Sequence, residues 1–189
     1  MTIPRDAIVS RLHDLDVCPA AIAWVETLPL DTTPQSAWDQ CPRADWMMWL
    51  IRVPLRGVVI EHRSPLHLSL ARCACDIADA VADYTHAHAQ TRADLAVVRA
   101  WCAGTASDTE LRAARDGLSD AAYDSASAYA AYYSASSASS AYSAAAYAYY
   151  AACAADADVA YAASAAPALR EQIADIIRAS FPQSPELTP

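Results

Sequence analysis

Residues 121–166 read AAYDSASAYAAYYSASSASSAYSAAAYAYYAACAADADVAYAASAA, and apart from Cys153 and Val159 they are all Ala, Ser, Tyr or Asp. The stretch contains no Gly, Pro, Leu, Ile, Met or Phe. Alanine is the best helix former, because it loses no side-chain entropy and buries no polar group. The composition therefore predicts helices that pack closely through small side chains, with Tyr supplying nearly all of the bulk.

A single straight helix over this stretch would be roughly 70 Å long, at about 1.5 Å per residue, whereas a small domain is roughly 30 Å across. A break is therefore expected. Serine hydroxyls compete for nearby backbone groups, which favours a break in the Ser-rich residues 134–140. Residues 156–158 are a second candidate, because an Asp there can cap a new helix.

Helix-capping patterns outside the Ala-rich stretch predict further helices. Thr33 followed by Pro34 is a typical N-cap and first helical residue, and Ser107 with Glu110 forms a capping-box pattern. Only residues 55–65 resemble a β-strand in composition, and a lone strand would have no partner. We therefore expect a loop there.

These patterns predict an all-α fold, a multi-helix bundle or array with an N-terminal Trp-rich cap and a C-terminal Ala/Ser/Tyr-rich helical hairpin. We expect one helical domain over residues 1–181, with the cap at 1–104, the Ala-rich helices at 107–181 and a flexible tail at 182–189. Because aromatic side chains bury large areas, four tryptophans are predicted to be structural anchors: Trp24, Trp38, Trp46 and Trp49. Replacing Trp46 by Ala is expected to cost about 3–5 kcal/mol.

The chain has 189 residues, a formal net charge of −9 and neither Lys nor Asn, a bias typical of a high-GC genome. Nucleic acid is not expected as a ligand, because neutralising phosphates needs a basic patch. Residues 1–12 do not resemble a signal peptide. No apolar run reaches the roughly 18–20 residues of a membrane span. We therefore expect a cytoplasmic protein with reduced cysteines and no membrane partner.

Metal and catalytic sites are not predicted from the spacing of candidate residues. Cys73 and Cys75 lie about 200° apart on a helix, so a regular helix cannot direct both thiols to one metal ion. His86 and His88 have the same spacing. We identify no Ser-His-Asp set and no phosphate-binding loop. The sequence therefore predicts no catalytic, cofactor-binding or metal-binding residue, and no enzyme.

Tyrosine is concentrated in the Ala-rich stretch, where nine of the ten Tyr residues lie. Some of them must fill the core, but nine exceed what thin helices can bury. Exposed Tyr beside Ser is typical of recognition surfaces, because Tyr is rigid and forms hydrogen bonds. The helical spacing predicts a partner-binding face made of Tyr129, Tyr132, Tyr133, Tyr147 and Tyr150.

A series of short motifs runs along nearly the whole chain. They are Cys-Pro-Ala-Ala-x-x-Trp at residues 18–24, Gln-x-Ala-Trp-Asp-x-Cys at 35–41, Arg-x-Asp-Trp-Met-x-Trp-Leu at 43–50, Leu-Ala-x-Cys-Ala-Cys at 70–75 and Gln-x-Ala-Asp-Ile-x-Arg-x-x-Phe-Pro at 172–182. In this order, with an Ala/Tyr/Asp-rich tract before the last motif, the chain resembles the Imm-5-like immunity-protein family of bacteria and phages.

The resemblance implies a small, cytosolic, all-helical protein that acts by binding, in a family named for its association with toxin loci and without catalytic residues. We therefore expect a non-enzymatic protein, without cofactor, that neutralises a toxin or a defence-system component. Two alternatives stay open. One is a sponge or sensor for a small nucleotide-like ligand, bound among Tyr and Arg side chains. The other is a self-assembling structural protein, in which the tyrosine face packs on a second copy.

Overall fold

The structure, a computed structural model, describes residues 5–84, 89–121, 126–140, 143–144, 146–148, 150–151, 153–154 and 166–185. Every regular element in these residues is helical and none is a strand, which confirms the predicted all-α, multi-helix fold. No helix within these ranges has an apolar segment long enough to cross a membrane.

Nine α-helices have bounds within the described residues. They are α1 (Arg5–Asp14), α2 (Pro19–Glu26), α3 (Pro34–Gln40), α4 (Ala44–Arg52) with a 3₁₀ turn at Val53–Leu55, α5 (Pro65–Tyr84), α6 (Ala89–Cys102), α7 (Asp108–Ala121), α8 (Ala126–Ser139) and α9 (Ala166–Ser180). Helical residues also occur between residues 144 and 154. Residues 56–64 form turns and irregular backbone, as predicted.

The predicted helix caps are confirmed. The Thr33 hydroxyl accepts a hydrogen bond from the backbone N–H of Ser36 at 3.1 Å, with Pro34 as the first helical residue. Ser107 and Glu110 form a capping box, in which the Ser107 N–H donates to the Glu110 carboxylate at 2.7 Å and the Glu110 N–H donates to the Ser107 hydroxyl at 3.2 Å. These bonds satisfy backbone groups that have no partner within a helix.

The chain divides into two compact units, one made of Met1–Cys41 with Phe181–Pro189 and the other of Pro42–Ser180. The predicted division at residues 104–107 does not coincide with this boundary. The reason lies within the second unit, where α5 and α6 precede that point but pack against α7 and α8, which follow it.

The first unit contains α1, α2, α3 and the residues that follow α9. Trp38 is buried, and its indole N–H donates to the Phe181 carbonyl at 3.1 Å. The Gln35 side chain donates to the Pro182 carbonyl at 3.1 Å and accepts from the Ser184 N–H at 2.9 Å. The first residues of the predicted flexible tail are therefore held by hydrogen bonds.

The second unit is organised around α8, which packs against α5, α6 and α7. Its side chains at the interface are small and fully buried: Ala130, Ala131, Ala135 and Ala138. They face Ala and Cys side chains of α5 within one hydrophobic core. The predicted close packing through small side chains is confirmed for this helix.

The predicted break in the Ala-rich stretch is confirmed at the end of its Ser-rich segment. Helix α8 ends at Ser139 and Ser140 is not helical, whereas Ser143 and Ala144 lie in helical backbone again. The Ser137 hydroxyl donates to the Ala144 carbonyl at 3.0 Å across this break, and the Ser139 hydroxyl donates to the Ser136 carbonyl at 3.2 Å. Serine hydroxyls thus donate hydrogen bonds to backbone carbonyls where the helix ends. The second candidate, at residues 156–158, lies outside the described residues.

Candidate functional site

Four of the five predicted partner-binding tyrosines meet in one group around Tyr133. Ring centroids lie 5.5 Å from Tyr133 for Tyr132, 5.2 Å for Tyr150 and 6.1 Å for the stacked Tyr147. We call Tyr132, Tyr133, Tyr147 and Tyr150 the tyrosine cluster. It joins the middle of α8 to residues that follow the break. The side chain of Tyr129 lies outside the described part of the chain.

The tyrosine cluster lies at the surface of its unit. Tyr150 is 40% exposed, and Tyr132, Tyr133 and Tyr147 are partly exposed. The guanidinium of Arg52 lies 5.8 Å from the Tyr150 ring centroid, within the range of a cation–π contact. Around these rings, α8 buries Ala and Ser, so the small residues fill its core-facing side while the large ones reach solvent.

The predicted tryptophan anchors differ in burial. Trp38 is buried, whereas Trp24, Trp46 and Trp49 are partly exposed. Trp46 lies beneath the guanidinium of Arg43, which is 5.1 Å from its ring centroid. The largest fully buried side chain described is that of Trp101 on α6, a residue that sequence reasoning did not select.

Trp101 is the centre of a group of aromatic and charged side chains that we call the Trp101 cluster: His62, Arg63, His67, Trp101 and Asp108. The Trp101 ring centroid is 5.8 Å from that of His62 and 5.5 Å from that of His67. The Arg63 guanidinium lies 4.5 Å from the same ring. The indole N–H donates to the Asp108 carboxylate at 2.6 Å. This bond is the main cause that lowers the Asp108 pKa.

The periodicity of the sequence contains a signal for this cluster. Leu95, Val98 and Trp101 are spaced three residues apart, on the buried face of α6. His67 precedes Leu70 and Ala74 on the buried face of α5 in the same way. Extending the apolar stripes to these two positions would have placed both inside the core.

His67 is fully buried and connects α5 to the end of α8. Its Nδ1 accepts from the Arg63 backbone N–H at 3.0 Å, so the proton of the neutral ring lies on Nε2, which is 3.0 Å from the Ser137 carbonyl. Burial in the core lowers the His67 pKa below its ordinary value of 6.5. The ring is therefore neutral at pH 7, and protonation at Nδ1 would displace the Arg63 N–H.

This geometry predicts an acid-sensitive contribution to stability. Because the folded-state pKa of His67 is lowered, its contribution is present above pH 6.5 and is lost as the pH falls towards the folded-state pKa. We expect urea unfolding at pH 7.5 and pH 5 to show a smaller pH-dependent loss of stability in His67→Gln than in wild type. The matched control is the exposed His13, since His13→Gln should retain the wild-type pH dependence. An unchanged pH dependence in His67→Gln would contradict this role.

Two cavities adjoin along the groove between α7 and α8, because Ser139 lines both. One has a volume of about 260 Å³ and is lined by His62, Asp108, Leu111, Arg112 and Ser139. The other has a volume of about 250 Å³ and is lined by Arg115, Asp116, Ser119, Tyr132, Ser136, Ser139, Ser140 and Tyr147. The second cavity thus borders the tyrosine cluster.

The side chains around these cavities are suited to binding more than to nucleophilic catalysis. His62 Nε2 lies 3.5 Å from the Asp108 carboxylate in a cavity that Ser139 also lines, but the Ser139 hydroxyl donates to the Ser136 carbonyl.

Burial raises the pKa of the Cys73 thiol to about 12 and that of Cys75 to about 11. These thiols are therefore protonated at neutral pH and weakly nucleophilic.

In the ranges that the structure describes, no group of three or more His, Cys, Asp or Glu side chains could hold a metal ion. Cys73 and Cys75, the pair considered from the sequence, are both buried as free thiols.

No protein-family model, curated protein or solved structure matches this chain. The resemblance to the Imm-5-like family therefore rests on the sequence motifs alone.

Proposed function

We propose that this is a non-enzymatic binding protein that neutralises a toxin or a defence-system component by binding it as a protein partner. The observation that carries the proposal is the tyrosine cluster, four contacting rings at the surface of the Ala-rich helices. Tyr is enriched at interfaces and at their energetic hot spots, because it contributes a large apolar area together with a hydrogen-bonding hydroxyl. The resemblance to immunity proteins supports the same function.

Charge indicates which kind of partner fits. The chain has a formal net charge of −9, so its long-range field attracts a basic protein and repels an acidic one. The Arg52 guanidinium lies at the edge of the tyrosine cluster, over the Tyr150 ring. An aromatic centre on an acidic chain resembles the usual anatomy of an interface, in which a core poor in charge is surrounded by a polar rim.

The tyrosine cluster predicts a hot spot at Tyr150, its most exposed ring. Tyr150→Ala should weaken partner binding roughly thirtyfold, which corresponds to about 2 kcal/mol. Folding should change by about 1 kcal/mol, because the ring is partly exposed but contacts Tyr133 and the Arg52 guanidinium. The matched control is Val59→Ala, which truncates an apolar side chain that is 79% exposed and outside the cluster.

Native mass spectrometry of the complex purified from the producing cell tests this prediction, with titration of the isolated pair to measure the dissociation constant. A protein bound at fixed stoichiometry, retained by Val59→Ala and lost by Tyr150→Ala, supports the proposal. A partner that Tyr150→Ala binds as tightly as wild type does would contradict it. A small molecule as the sole bound mass, or a homo-oligomer as the sole complex, would instead favour the ligand-binding or self-assembling alternative.

A further inference from the structure

We propose that the two adjoining cavities between α7 and α8 form one site for a nucleoside phosphate. The phosphate lies at Arg112 and His62, and the base lies against Tyr132 and Tyr147. This site goes beyond the proposed protein binding and does not depend on it, although both use rings of the tyrosine cluster.

Cavity size supports a joint site. The two volumes, about 260 and about 250 Å³, each fall below the range of roughly 300–1,000 Å³ that is usual for small-molecule pockets. Ser139 lines both cavities, so they are neighbours along the same groove. A ligand with two chemically different ends, one in each cavity, uses this shape better than a compact molecule does.

The first cavity offers a cation for the phosphate. Arg112 donates from Nε to the Asp108 carbonyl at 3.1 Å and from one Nη to the Thr109 hydroxyl at 3.4 Å. Within the described residues it contacts no carboxylate, although the chain as a whole is acidic. Its remaining N–H groups can bind phosphate oxygens in the planar, paired geometry that a guanidinium favours. His62, with a half-exposed ring, lines the same cavity beside Arg112.

Two carboxylates also line the groove, and both already have cationic or N–H partners. Asp108 accepts from the Trp101 indole and lies 3.5 Å from both the His62 and the Arg63 side chains. Asp116 accepts from the Arg115 guanidinium at 2.9 Å. Both carboxylates are therefore paired, whereas Arg112 contacts no carboxylate among the residues that the structure describes.

The second cavity offers a platform for the base. Tyr132 and Tyr147 line it and are partly exposed, and aromatic rings stack on any nucleobase. The hydroxyls of Ser119, Ser136 and Ser140 line the same space and can bind polar base edges or ribose. Aromatic stacking beside hydroxyls is the complement that a nucleoside requires.

A neighbouring cavity of about 220 Å³ provides the matched control. It is lined by Arg52 and Arg56, whose guanidinium groups lie over the rings of Tyr150 and Trp49. Arg56 is exposed and, within the described residues, contacts no carboxylate, as is true of Arg112. Arg56→Ala therefore removes the same charge from the protein as Arg112→Ala does, but outside the proposed site.

Isothermal titration calorimetry of the full chain with the four nucleoside 5′-monophosphates, adenosine and inorganic phosphate tests the proposal. We expect at least one monophosphate to bind, with at least tenfold weaker binding for Arg112→Ala and for Tyr132→Ala and unchanged binding for Arg56→Ala. Adenosine and phosphate alone should bind more weakly than the monophosphate. The proposal is overturned if no monophosphate binds at 1 mM, if inorganic phosphate binds as tightly, or if Arg56→Ala weakens binding as much as Arg112→Ala does.

Discussion

Trp101→Ala should lower the free energy of unfolding by about 3–5 kcal/mol, a large part of the roughly 5–15 kcal/mol that stabilises a typical domain. The side chain has no exposed surface and packs against His67 and His62. Its removal would leave a cavity in the core and would deprive Asp108 of its indole donor. Both effects act in the same direction.

Urea unfolding followed by circular dichroism measures this loss, with Trp46→Ala as the matched control. Trp46 is partly exposed, so its truncation should cost less than that of Trp101, even though the sequence alone assigned about 3–5 kcal/mol to Trp46. Equal losses in the two variants would contradict the view that the core of this unit is centred on Trp101.

Ala135→Leu should destabilise the protein by about 1–3 kcal/mol or more, because added methylenes in a tightly packed core force side chains and backbone to shift. Ala135 is fully buried on α8, the helix that packs against α5, α6 and α7. Leu and Ala have similar helix propensities, so the loss would come from packing.

A thermal melt distinguishes this packing effect from a general effect of Leu, with Ala96→Leu on the exposed face of α6 as the control. For a chain of this size, 1 kcal/mol corresponds to a change in Tm of roughly 2–4 °C. Ala135→Leu should therefore melt several degrees lower than wild type, whereas Ala96→Leu should melt within about 2 °C of it. A wild-type Tm in Ala135→Leu would mean that α8 does not pack through small side chains.

The helices and their ends were predictable because they obey local rules. The caps at Thr33 and Ser107 and the break before Ser140 follow from hydroxyl groups that bond to backbone within a few residues. The tyrosine cluster was predictable for a compositional reason, since Tyr is the only bulky residue type in most of residues 121–166. The contact between tyrosines before and after the break was not predictable, because the helical phase is lost at the break and tertiary contacts set the relative position of the two segments.

The Trp101 cluster and the cavities could not be predicted from local sequence patterns, because they combine residues far apart in the chain. The His67 ring hydrogen-bonds to the backbone carbonyl of Ser137, seventy residues later, and the Arg63 guanidinium lies over the Trp101 ring. The spacing of histidines indicates metal sites but not burial, so a buried neutral ring such as that of His67 is not indicated by that spacing. The two compact units likewise depend on helix pairing that local patterns do not encode.

Nitration of tyrosines by tetranitromethane, with peptide mass spectrometry, tests most directly whether the tyrosine cluster is the binding surface. We expect Tyr150 to be nitrated in the free chain at tens of micromolar and to be protected in the purified complex with its protein partner. Equal nitration of Tyr150 in the free chain and in the complex would contradict it. So would protection in the free chain that is lost on dilution, because the surface would then be occupied by a second copy.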